Sequence, residues 1–200
     1  MAKTTARRSA RDLQLVIFDC DGVLVDSEVI SNDVLARLLS AEGLPTTLGE
    51  ARRVYQGLLL TEVLASAEAK LGRSLPGGWL ARYEQERAAA FRGGLQPVPG
   101  AADAVRRVSA AGIPVCVASQ GKLEKTRLSL ELTGLGDLFA EESLFSAWSV
   151  PRGKPHPDLF LHAASTMGAE PAHCVVVEDT PSGVAASVSA GMPREEGQTH

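Results

Sequence analysis

Residues 16–28 read VIFDCDGVLVDSE, and the rest of the chain is best understood outward from this stretch. Val16, Ile17 and Phe18 close an apolar run that begins at Leu13. The run stops on two carboxylates, Asp19 and Asp21, with Gly22 immediately behind them. Apolar residues in succession, without alternation, are the pattern of a strand buried on both faces of a parallel sheet. Ending such a strand on two acids and a turn residue brings negative charge to the rim of the sheet at a fixed place.

Three further runs have the same character: IPVCVAS at 113–119, a weaker LFSA at 144–147, and CVVVE at 174–178. Helical patterns separate them. Residues 101–111 follow Pro99-Gly100 and stop at Gly112, a good start and stop pair; residues 123–132, 157–167 and 182–190 likewise run to Gly134, Gly168 and Gly191. Strands alternating with helices of this length predict an α/β fold, a Rossmann-like parallel sheet with helices on both faces and right-handed crossovers. The interval 28–94 differs. It carries three helical stretches (29–43, 49–72 and 79–94) and no convincing strand, so it reads as an α-helical cap inserted after the first strand. Gly93-Gly94 and Pro97, Pro99 and Gly100 mark the return. The expected division is a tail at 1–12, an α/β core made of 13–27 and 95–200, and a cap at 28–94.

Bulk properties exclude several classes. With 200 residues and 44% hydrophobic content the chain can bury a real core, and with 4% aromatics Leu, Val and Ala must fill it. A net charge of -4 gives no basic face for nucleic acid. Cys20, Cys116 and Cys174 lie in or beside apolar runs, at no metal or disulfide spacing, and read as small buried residues of a reducing compartment. No apolar stretch is long enough for a membrane span, and the basic start MAKTTARRSARD lacks the apolar region of a secretory signal. The expectation is a cytoplasmic protein, a monomer, with no membrane or nucleic-acid partner.

Ligands of open parallel sheets bind beyond the carboxyl ends of the strands. The first run ends on Asp19-Cys20-Asp21-Gly22, the second on Ser119-Gln120-Gly121, the fourth on Glu178-Asp179, and the third is followed by Arg152-Gly153-Lys154-Pro155. One rim therefore gathers four acids, a hydroxyl and a lysine. Crowded carboxylates repel unless a cation sits among them, and hard oxygen ligands with no His or Cys cluster favour magnesium. His156, alone before a proline, reads as a loop residue. A metal beside an ammonium and a hydroxyl is what a phosphoryl group needs.

The motifs DCDGVLVDSE, VASQG, RGKPHPD and VEDTPSGVAAS, in this order, resemble those of the haloacid dehalogenase-like superfamily of phosphohydrolases. The resemblance covers residues 15–192 and is closest to the β-phosphoglucomutase-like sugar phosphatases, which carry a helical cap at the same place. It implies a phosphatase acting on a small phosphorylated metabolite, a sugar phosphate, through an aspartyl-phosphate. Asp19 is implied as nucleophile, Asp21 as general acid and base, Ser119 as a donor to the phosphoryl group, and Lys154 as the cation that lets an anion attack an anion. Magnesium is implied on Asp19, the backbone carbonyl of Asp21, Asp179 and Glu178, the last directly or through water. Gly22 and Gln120 are expected near the phosphoryl group, and Tyr55 and Gln56, with neighbouring Leu58–Leu60, on the leaving group or packed in the cap's own core. Asp26-Ser27-Glu28 reads either as the link to the cap or as a helix N-cap with an acid in the first turn.

Alternatives stand beside this reading. A phosphosugar mutase is one, although mutases of this branch place an arginine where residues 58–60 are Leu-Leu-Leu. A receiver-like phosphoacceptor module uses similar residues but places its acceptor on a middle strand and lacks a helical insertion. A binding protein without activity is a third. A dehalogenase would not need Asp21. Relatives continue past the equivalent of Met192 with another strand and helix. This sequence reads PREEGQTH, so the expectation is a sheet lacking that strand, with an unpaired edge beyond the 174–178 strand, lowered stability and a tendency to associate there.

Overall fold

The computed structural model describes residues 13–192; the expectations placed on 1–12 and 193–200 lie outside the described residues. Four parallel strands, β1 (Leu15–Phe18), β2 (Val115–Ser119), β3 (Leu144–Ser146) and β4 (Cys174–Val177), form one sheet in the order β3-β2-β1-β4. The register pairs Ile17 with Cys116 on one side and with Val176 on the other. The chain moves outward from β1 to β2 and β3, then returns to place β4 on the other side of β1. Order therefore reverses at β1, and the carboxyl end of β1 is where a ligand crevice forms.

All four residues of β1 are buried, as an apolar run without alternation requires. Leu15 and Ile17 join one core, with Phe145, Leu159, Phe160 and Ala186; Val16 and Phe18 join the other, with Val105, Leu130, Leu135 and Phe139. The first core is covered by α7 (Asp158–Thr166) and α8 (Pro181–Ser189), the second by α5 (Ala101–Ala110) and α6 (Leu123–Leu132). Cys20, Cys116 and Cys174 are free and buried. No helix among the described residues is long and apolar enough to cross a membrane.

Between β1 and β2 lie α1 (Glu28–Ala41), α2 (Leu48–Tyr55), α3 (Leu60–Leu71) and α4 (Trp79–Gly94). They build a third core from Leu35, Leu39, Ala51, Tyr55, Val63, Trp79 and Tyr83. The single helical stretch expected at 49–72 is two helices. Gln56 leaves α2 extended, Gly57 takes φ +79, and Glu62 reaches back to the amide of Leu59 at 2.7 Å to start α3. The resulting loop points at the sheet: a Cβ on Gly57 would lie 3.3 Å from Ser182 Oγ at the start of α8, and Leu59 packs against the first core. The two chain crossings between the helices and the sheet run side by side, with Asp26 N–H bonded to Gln96 O and Val98 N–H to Leu24 O, both at 2.9 Å.

Candidate active site

The turn after β1 is built by its own backbone. Leu24 and Val25 donate to the carbonyl of Cys20, and Gly22 donates to Val25 at 2.9 Å. Gly22 adopts φ +78, and a Cβ there would lie 2.2 Å from Asp179 Oδ2. Its own amide hydrogen is spent inside the turn, so what this position contributes is a left-handed backbone and room for Asp179.

Asp19 ends β1 almost fully buried and accepts from Lys154 Nζ at 2.7 Å; the same ammonium donates to Glu178 Oε2 at 2.6 Å. Lys154 belongs to the loop after β3, and Gln120 clamps that loop: its Oε1 accepts from the Lys154 amide at 3.0 Å and its Nε2 donates to the Lys154 carbonyl at 3.3 Å. Gln120 thus reaches the crevice, but its amide is committed to holding Lys154 in place. Burial opposes charge on Lys154, yet Asp19 and Glu178 outweigh it and hold the amine above the usual lysine range. Burial, reinforced by Glu178 and Asp21 and opposed by Lys154, pushes Asp19 up to about 7. Asp179 is raised too, by burial and then by Glu178.

Asp19, Glu178 and Asp179 offer carboxylate oxygens within 4.8 Å of one another. Three hard ligands this close, two of them with their ionised forms disfavoured, suit a small divalent cation such as magnesium. Thr180 organises the β4 side. Its amide and hydroxyl donate to Glu178 Oε1 at 3.0 and 2.7 Å, and the hydroxyl accepts from Gly183 N–H at 3.1 Å as the N-cap of α8. With Oε1 held by Thr180 and Oε2 by Lys154, Glu178 is better placed to hold a metal through water than directly. Gly183 matters here because a Cβ would lie 2.0 Å from the Glu178 carboxyl carbon.

The Asp21 side chain does not join the acid cluster. Its Oδ1 receives the Lys125 ammonium, from α6, and the Ser27 hydroxyl, at the start of α1. Burial would raise Asp21, but Lys125, Ser27 and the more distant Arg87 outweigh it, so the carboxylate is held below its ordinary range. Ser27 stands at the N-cap of α1 without making a capping bond; its hydroxyl serves Asp21 instead. Ser119 is fully buried and accepts from Gly121 N–H at 3.1 Å; the α6 N-cap position falls to Lys122.

A cavity of about 140 Å³ lies over Asp19, Asp21, Lys154 and Gln120, roofed by α1, the 56–58 loop and α4. Tyr55 lines it but is largely core, with its hydroxyl accepting from Lys70 at 3.2 Å. Gln56 donates to Glu28, which also faces Arg52 at 3.7 Å. Lys122, Lys125, Arg87 and Ser27 line the same cavity and were not expected from the sequence. By residue type, Lys125 and Arg87 do not differ from the solvated charges of their helices. A signal for Lys125 did exist, since it lies four residues before Ser129 on the buried face of α6.

These motifs and this fold define a class. The haloacid dehalogenase-like hydrolase family matches residues 13–191, and the chain belongs to it. Among similar proteins, 6-phosphogluconate phosphatase of Escherichia coli K12 is 30% identical over 90% of this chain and 80% of its own. Hexitol phosphatase A of the same organism is 34% identical over 88% and 78%. A haloacid dehalogenase family hydrolase from Deinococcus radiodurans R1, solved with bound phosphate and sodium, superposes with a TM-score of 0.69 at 36% identity, over 90% of this chain and 79% of that one.

Proposed function

We propose that the chain is a magnesium-dependent phosphomonoester hydrolase that acts on a small phosphorylated metabolite, a sugar phosphate, through an aspartyl-phosphate on Asp19. The observation that carries this reading is the buried ammonium of Lys154, 2.7 Å from Asp19 in a cluster with Glu178 and Asp179. With a divalent cation on its carboxylates, such a cluster would offset the charge of a phosphoryl dianion and present a carboxylate to it. Relatives that are 6-phosphogluconate and hexitol phosphatases support the substrate class.

In the first half, an Asp19 carboxylate oxygen bonds to phosphorus as the bond to the leaving oxygen breaks, and Asp21 delivers a proton to that oxygen. In the second, water bonds to phosphorus, gives its proton to Asp21, and the bond to Asp19 breaks. Asp21 is held ionised by Lys125 and Ser27, the form the second half requires; the proton it takes from water there is the one it delivers to the leaving oxygen in the next first half. Lys154 stays charged and offsets the repulsion between two anions; Ser119, in this reading, turns its hydroxyl hydrogen toward the phosphoryl group. A magnesium ion on Asp19, Asp179, the Asp21 carbonyl and Glu178 through water would neutralise the transferring oxygens. Helices α1–α4, residues 28–94, act as a cap that excludes water and carries the leaving-group contacts.

The test is release of inorganic phosphate from a panel of sugar phosphates and p-nitrophenyl phosphate. Turnover should require magnesium, stop in EDTA, and fall at least about a hundredfold in Asp19→Asn. A folded protein that releases no phosphate from any ester in the panel would refute the reading.

A further inference from the structure

Charges around the cavity can be matched one by one. Lys154 is bound by Asp19 and Glu178, and Lys125 by Asp21. Lys122 lies over the Trp148 ring and forms an ion pair with Glu84 at 2.6 Å, without hydrogen-bond alignment. Glu28 faces Arg52, and Glu86, near Arg87 on α4, faces Arg37 and Arg82. One lining cation is left without a hydrogen-bonded or ion-paired partner, its charge reaching Asp21 only from farther off. Arg87 is half-buried, and among the described residues no carboxylate or carbonyl accepts from its guanidinium. The group is fixed by ring faces instead, 5.0 Å from the Tyr83 centroid and 5.9 Å from that of Phe91. Ring contacts of this kind leave the N–H donors of the guanidinium available.

The geometry points to Arg87 as the recognition group for a carboxylate on the leaving group, so that the preferred substrate is a phosphorylated sugar acid rather than a neutral sugar phosphate. This inference rests on the phosphatase reading above. Arg87 stands on α4 in the cavity lining, and its charge acts on Asp21 and Lys125, the pair that serves the leaving group. The group without a hydrogen-bonded partner carries a single positive charge. A carboxylate cancels it and fits the guanidinium fork with two parallel hydrogen bonds, whereas a second phosphate dianion would leave negative charge uncompensated on that wall.

The experiment is titration calorimetry, with magnesium, on Asp19→Asn, which binds without hydrolysing. The ligands are aldonic acid phosphates of two, three and six carbons, the alditol phosphate of each length, and a hexose bisphosphate. At one or more lengths the acid should bind about ten- to a hundredfold more tightly than its neutral partner. Adding Arg87→Met, which keeps the stacked stem, should remove that advantage, and Arg87→Lys should keep part of it. Equal affinities at every length, an advantage that survives Arg87→Met, a bisphosphate bound more tightly than any acid, or no binding at all would overturn the inference. Phosphate release by the wild-type protein is read separately and reports on the phosphatase reading alone.

Discussion

Asp21 sits between the Lys125 ammonium and the Ser27 hydroxyl, and those donors decide how well it can handle a proton. Removing Lys125 leaves its carboxylate misplaced and poorly held. Lys125→Met should therefore lower kcat/KM, which reports the first half and not the second half common to all substrates, about a hundredfold on alkyl phosphates, whose leaving alkoxide needs a proton. On p-nitrophenyl phosphate, whose leaving group needs none, the loss should be at least about tenfold smaller; equal losses would mean Lys125 is only structural. Asp19 makes a pH prediction. Without metal its folded form holds a proton up to about 7, whereas the unfolded carboxyl loses it near 3.8. The native state then binds more protons than the unfolded state between those values, so this group lowers stability as pH rises across the window. In EDTA, Asp19→Asn should raise Tm relative to wild type by at least about 2 °C more at pH 7.5 than at pH 4.5, the shift of roughly 1 kcal/mol in a domain of this size. A constant difference across pH would contradict the assignment.

Local elements carry some of the chemistry as well. Thr180 caps α8 and holds Glu178, so one side chain serves a helix and the acid cluster. Thr180→Ala should cost about 1 kcal/mol in urea unfolding and weaken magnesium binding at least about tenfold by calorimetry. Loss of stability with unchanged magnesium affinity would leave it a cap alone. β1 and β2 were legible in the sequence because strands buried on both faces leave apolar runs; β4 was legible from its valines although Val177 is exposed, β3 only weakly, and the strand ends named Asp19, Ser119, Glu178 and Asp179. The helices of the sheet were legible from their stop glycines. What composition hides is where a charged side chain on a helix points. Lys125 and Arg87 are indistinguishable by residue type from the solvated charges around them, and only packing against β1 and across the cavity turns them inward. Gly57 was read through as part of one helix because a lone glycine in a helical pattern is tolerated until tertiary contacts favour a break. Gln120 was placed at the phosphoryl group by its position, while its amide is taken by a loop 34 residues later.

At the scale of the molecule, helices α1–α4 lie over the carboxyl end of the sheet and leave a cavity of about 140 Å³. That is less than the roughly 300 Å³ at the low end of small-molecule pockets, and the proposed function expects a sugar phosphate to enter with the cap swung away. Gly57 and Ser182 meet across the gap, and a Cβ on Gly57 would lie 3.3 Å from the Ser182 hydroxyl. The double substitution Gly57→Cys and Ser182→Cys should form a disulfide that abolishes turnover when oxidised and restores it on reduction, with the reduced variant as control for strain at position 57. Undiminished turnover of the oxidised form would show that opening is not needed. The proposed reaction turns on a covalent bond to Asp19. A single turnover quenched in acid and analysed by peptide mass spectrometry tests it most directly. The expected result is one phosphoryl group on the peptide containing Asp19, formed with substrate and magnesium and absent in Asp19→Asn. Phosphate release with that peptide unmodified at every quench time, and undiminished in Asp19→Asn, would contradict it.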